Sequence, residues 1–174
     1  ILYGPYSDKS LIRNVLIYDI SNAMGQYATR TAFYELKINE SFLGTYVLME
    51  KIKRDQDRID ISKLEPDEIE GDDLTGGYIL KFDWIWTGDN LGWFESDRGS
   101  LYNYHYPKPD EIASEQVDYI QQYIHDFETM MVSTEYNDPT SGYPSWINID
   151  SFVDSQIDAL VGSRILSVMR PHID

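Results

Sequence analysis

The chain has 174 residues, 30 acidic against 14 basic, a net charge of −16 and no cysteine. Its length supports one domain with a sizeable core, and 42% hydrophobic with 25% charged residues is a globular composition. Such negative charge argues against general nucleic-acid binding, the absence of Cys excludes disulfides, thiol catalysis and Cys-ligated zinc, and no apolar run approaches the roughly 18 residues that cross a bilayer.

Asp8 to Met24 reads as a helix, capped by Ser7 or Asp8 and followed by Gly25. Leu11, Ile12, Val15, Leu16, Ile20 and Ala23 form its apolar stripe, with Arg13 at the edge. Thr31 to Ile38 alternates as a half-buried strand, and "NES" turns the chain into a buried strand, Phe42 to Met49, as an antiparallel hairpin. "DRIDI" reads as a short edge strand and residues 63–75 as an acidic loop. Tyr78 to Trp84 reads as another buried strand, and residues 87–110, rich in Gly, Asp, Asn, Tyr and Pro, as an excursion with little regular structure. Ser114 caps a helix running to about Met131, with Val117, Ile120, Ile124, Phe127 and Met131 at helical spacing. "NDPTSGYPSW" is a loop, and Asp150 caps a last helix that turns Phe152, Val153, Ile157, Leu160 and Val161 inward. The order gives an α+β class, with antiparallel strands in the first half and helices in the second.

The common chemical signatures are missing. His105, His125 and His172 lie far apart and form no HExxH, and "LTGGYILK" lacks both GxGxxG and GxxxxGK[ST]. No GxSxG occurs. "DWIWTGDN" and "NDPTSGYPSWINID" hold closely spaced oxygen donors without the calcium-loop pattern. Trp84, Trp86 and Trp93 suit either a sugar-stacking platform or aromatic packing on the core. Glu50 and Lys51 end one apolar strand, while Lys81 and Asp83 end another. Charges at the mouths of buried strands call for partners or a ligand. A surface salt-bridge cluster and a pocket for a charged, planar ligand both account for them.

The segments "SDKSLIRN", "YELKINESFLGTYVLMEKIK", "RIDI", "TGGYILKFD", "YPKPDEI", "EQVDYI" and "SGYPSWINIDSFVD", in this order, resemble the spore coat protein H (CotH) kinase family over about Leu2 to Asp154. The resemblance implies an atypical protein-kinase-like fold that binds ATP with magnesium or manganese and phosphorylates Ser or Thr of a protein substrate. It likens the Asp8–Met24 helix to one packed on the small lobe. The strand ending at Glu50 corresponds to the one leading into the interlobe linker, where adenine would lie. On that basis Arg13, Asn14, Glu50, Lys51, Lys81 and Asp83 are expected to line or support the nucleotide cleft, with Arg13 pairing with a carboxylate such as Glu50. Glu40 replaces the Gly usual in the hairpin turn, which predicts a different turn type.

Residues 155–174 do not follow the family's Glu, Asn and Asp pattern or reach a Trp-Asp, and neither Asp158 nor Asp174 aligns with a catalytic role. The expectation is a kinase-like domain incomplete at both ends and inactive alone, with unassigned catalytic and metal-binding residues. The alternative is a non-catalytic glycan- or protein-binding or structural module. The 14 Tyr and four Trp suggest an extracellular or cell-surface setting, a spore coat if the source forms spores.

Overall fold

The computed structural model describes residues 1–23, 27–82, 92–146 and, as backbone, 165–167. A three-stranded antiparallel sheet contains β1 (Leu2–Tyr3), β2 (Thr31–Ile38) and β3 (Ser41–Met49), in the order β1–β3–β2. Helix α1 (Arg13–Ala23) lies against β2. A short turn, α2 (Gly71–Leu74), leads toward a second antiparallel sheet. Its strands are β4 (Ile79–Phe82), β5 (Trp93–Glu95), β6 (Leu101–Tyr106) and β7 (Ile165–Ser167), in the order β5–β6–β4–β7. Helix α3 (Ser114–Met131) covers one face of that sheet, and the turn α4 (Tyr143–Trp146) packs on α3. The class is α+β, as expected.

The hairpin turns at Asn39 and Glu40, with φ of 48° and 66°. Two left-handed residues in a two-residue loop make a type I′ turn, whose twist matches the flanking strands. Glu40 therefore occupies a left-handed conformation that a glycine would adopt without strain. Leu36 pairs with Gly44 but Lys37 with Phe42, so Leu43 is an extra residue in β3. Gly44 absorbs this bulge at φ 114°.

Several sequence expectations are corrected. Helix α1 begins at Arg13 because Asp8 organises a turn before it: its carboxylate accepts the N–H groups of Ser10 and Arg13, both at 3.0 Å, while Leu11 takes φ 63°. The α1 stripe is not buried as a unit, since Ile12, Leu16 and Ile20 remain 39–50% exposed and the buried α1 residue is Ser21. Phe42–Met49 is not a buried strand either, because the sheet is covered only in part; Val47 is buried while Phe42, Leu43 and Leu48 are exposed. "DRIDI" contributes a single parallel bridge, Arg54 to Ile59, with Ile59 buried.

Within residues 87–110, the described part contains the β5–β6 hairpin. Alternation in "LYNYHY" turns Tyr102, Tyr104 and Tyr106 toward the core made by Leu64, Tyr78, Leu80, Ile120 and Ile124. Phe94 stacks on Tyr102 with centroids 5.3 Å apart. The expected strand from Tyr78 is buried at Tyr78, Ile79 and Leu80. Its last residues, Asp83 and Trp84, fall outside the described residues, as do Met24, Gly25, Trp86, His172 and the helix expected from Asp150.

Helix α3 has the predicted bounds, but Gln116, Ile120, Ile124 and Glu128 form its buried line, with Val117, Phe127 and Met131 half-buried beside it. Ala113, not Ser114, precedes the first turn. Its N–H donates to Gln116 Oε1 at 3.0 Å, and Gln116 Nε2 donates to the carbonyls of Glu65 at 2.7 Å and Glu68 at 3.1 Å. A wholly buried amide thus ties the helix start to the acidic loop.

Candidate functional site at the exit from β3

Glu50 follows β3 immediately, and the hairpin register places Arg30 across from it. The Glu50 N–H donates to the Arg30 carbonyl at 3.2 Å. The Arg30 guanidinium returns two bonds to the carboxylate, Nε to Oε2 at 2.8 Å and Nη2 to Oε1 at 2.5 Å, and its N–H adds a third at 3.3 Å. Arg58 Nε lies 3.7 Å from Oε1 on another side. These donors, Arg30 first, hold the Glu50 carboxyl below its usual pKa. Burial and then the Glu50 charge push the Tyr27 phenol upward. Glu50 is thus a fixed anion between two guanidinium groups.

The chain beyond Glu50 is tied to the second sheet. His105 Nε2 and the Ile52 carbonyl lie 3.1 Å apart, so a protonated Nε2 donates across the junction. The Arg54 guanidinium sits 5.6 Å from the centre of the Tyr106 ring, in cation–π range. Lys81 pairs with Asn103 across β4 and β6. Opposed residues share a face, and residues two apart on a strand do so too. Lys81 and Asn103 therefore share a face of the second sheet, while His105 is the extra residue of a bulge, since Leu80 pairs with Tyr104 and Ile79 with Tyr106.

Of the residues singled out in the sequence, Glu50 and Lys51 lie at the end of the first sheet, with Lys51 exposed. Lys81 lies on β4 of the second sheet. Arg13 and Asn14 open α1. The pairing expected between Arg13 and Glu50 does not form: Arg13 Nε is 3.4 Å from Asp8 Oδ1, while Glu50 holds Arg30 and Arg58. Asp83, Trp84 and Trp86 are outside the described residues, and Trp93 is partly exposed on β5. Sequence reading missed Arg30, Arg58 and His105, the groups that build the junction.

A family model described as CotH kinase protein matches residues 1–161. The chain belongs to the CotH kinase family. This CotH-family chain therefore has a kinase-like α+β fold. No curated protein matches it, and no solved structure does.

Kinase chemistry implies a nucleotide and a divalent ion. Lys51, Lys53, Arg54 and Arg58 follow Glu50 within one short segment, which also carries Asp55, Asp57 and Asp60. Lys53 Nζ lies 3.1 Å from Asp55 Oδ2 and Arg58 faces Glu50, so the cations of this segment are balanced by its own carboxylates. Among the described residues, no group of three His, Asp or Glu side chains is placed to hold a metal ion. The described residues do not build a metal centre. The Asp138 carboxylate in the "NDPTSG" loop accepts from Thr140 N–H and Oγ1 and from Ser141 N–H, at 2.7–2.9 Å. Those bonds serve the turn itself.

Proposed function

We propose that this CotH-family chain serves ATP-dependent phosphoryl transfer to Ser or Thr of a protein substrate, with the nucleotide against the segment that leaves β3. The observation that carries the reading is the clamped Glu50. An ionised carboxylate fixed by Arg30 and Arg58 holds the strand end in one orientation, so the following backbone and basic side chains are preset for a ligand. Phosphoryl transfer depends on positioning and charge neutralisation more than on covalent help from the protein. Lys81 belongs to the same second sheet whose His105 reaches the Ile52 carbonyl, and its role is to meet the phosphates. Lys51 follows the end of β3, Asp83 lies outside the described residues, and Arg13 and Asn14 belong to the helix against the first sheet. A bound magnesium or manganese ion would supply further neutralisation of phosphate charge.

The test uses the full-length protein. Magnesium or manganese ATP should raise its Tm, and mass spectrometry should find phosphate from labelled ATP on Ser or Thr of an added acceptor protein. Glu50→Ala and Lys81→Ala should diminish both signals. If both variants keep the wild-type shift and transfer rate, the site assignment is wrong. Absence of any ATP-dependent shift or transfer removes the functional reading itself.

A further inference from the structure

Strand β2 has an unpaired edge. In the sheet order β1–β3–β2 it has β3 on one side, and among the described residues no strand or backbone hydrogen bond occupies the other. Phe33, Tyr34 and Ile38 are 46–53% exposed, and Glu35 and Lys37 between them are exposed too. A strand with a free row of N–H and C=O groups is a template for a further strand.

Two bonds at the open end of the hairpin fix which residues offer those groups. The Glu50 N–H reaches the Arg30 carbonyl, so Arg30 turns its backbone toward β3. The Met49 N–H turns the other way, to the Ile1 carbonyl at 2.7 Å, so its partner Thr31 faces away from β3. Backbone groups alternate in direction along a strand, and the extra residue of the bulge lies in β3. Thr31, Phe33, Glu35 and Lys37 therefore all present theirs outward. A second, antiparallel β2 forms a ladder only where outward residues meet outward residues. The two-fold axis must then pass through a residue rather than a peptide bond.

Charge distinguishes the registers that remain. An axis at Glu35 or at Lys37 sets that charge against itself. An axis at Tyr34 sets Lys37 against Thr31 and Glu35 against Phe33. An axis at Leu36 sets Glu35 against the second copy's Lys37, and symmetry repeats the pair. On the other face, that register brings Tyr34 opposite Ile38 and Leu36 opposite itself. Among the described residues, neither Glu35 nor Lys37 has an ion pair within the chain, so both charges are available. A lone lysine on an edge blocks pairing. With Glu35 two positions away, Lys37 selects a partner instead.

We propose that β2 pairs edge to edge with β2 of a second copy of this chain, antiparallel and centred on Leu36, joining the two sheets into one. This interface uses none of the residues assigned to the nucleotide and stands apart from that reading.

Sedimentation velocity on the full-length protein tests this over a range of concentrations, at about 0.15 M salt, where long-range repulsion is largely screened. A reversible dimer is expected. Glu35→Lys and Lys37→Glu each oppose like charges twice and should raise the dimer Kd by about tenfold or more. Mixed in equal amounts, with one of them fluorescently labelled, these two variants should dimerise with each other about as well as wild type. Every lysine then faces a glutamate again. Mixing does not repair a variant that is merely misfolded, so recovery isolates the interface. Should a single variant fold poorly, the combined variant Glu35→Lys/Lys37→Glu should recover wild-type dimerisation. A protein that stays monomeric at every concentration overturns the proposal and leaves the edge to a strand of a different protein. Single variants that dimerise as well as wild type, or a mixture that does not recover, overturn it equally.

Discussion

Arg30 and Glu50 meet fork to carboxylate at the open end of the β2–β3 hairpin, with Nε–Oε2 at 2.8 Å and Nη2–Oε1 at 2.5 Å. Lys cannot reproduce two parallel bonds from one planar group. Arg30→Lys and Glu50→Gln are each expected to lower the urea unfolding midpoint modestly, since Arg30 is solvent-exposed and its pair is screened. The Glu50 pKa is lowered in the folded state, so its contribution is complete above the ordinary value of 4.5 and is lost as pH falls through the folded value. The gap between wild type and Glu50→Gln should therefore close on acidification. A gap that widens instead would contradict the pairing.

The start of α3 supports a second prediction. Gln116 is wholly buried, donating to two loop carbonyls and accepting from Ala113. Gln116→Leu leaves these groups without their partner and should cost about 1–3 kcal/mol. Gln116→Glu should cost more, because it aims a carboxylate at the Glu65 and Glu68 carbonyls. Equal or reversed losses in thermal unfolding would mean that volume, not hydrogen bonding, governs the site.

Glu40 holds φ 66° in the hairpin turn. Gly adopts that conformation without Cβ strain but loses more chain entropy on folding. The strain relief outweighs the entropy here, and Glu40→Gly is expected to stabilise by about 0.5–1 kcal/mol. An unchanged or lower Tm would show that this turn carries little strain.

Asp138 should titrate unusually low. Bonds from Thr140 and Ser141 to its carboxylate pull its pKa to about 2. The turn is then supported above the ordinary carboxylate range and loosens only as pH falls through about 2. NMR of the Asp138 side-chain carbon checks this; a midpoint near 3.8 would remove the preorganised turn.

The hairpin and α3 were legible because their period and length leave little choice, Thr31–Ile38 alternating and Val117, Ile120 and Ile124 recurring at helical spacing. The β5–β6 hairpin was not, because Tyr, Asn and His mask the alternation in "LYNYHY". At the site, Glu50 stood out as a charge ending an apolar run, yet its partner did not. Arg30 lies opposite Glu50 only because the Leu43 bulge shifts the register by one residue, and a left-handed Gly44 is the sole local mark of that shift. His105 joins Ile52 across 53 positions, a distance no local pattern spans.

Four of the five buried residues of α3, Gln116, Ile120, Ile124 and Glu128, place apolar contacts between two polar ones. An all-apolar row would tolerate a slide of one turn, about 5.4 Å, by exchanging one greasy contact for another. Here that slide would strip Gln116 from the acidic loop and Glu128 from Ser96 and Tyr102 at the same moment. The helix consequently has a single seat along its axis, keyed at both tips, and substitutions at Ile120 or Ile124 can loosen its grip without changing where it sits.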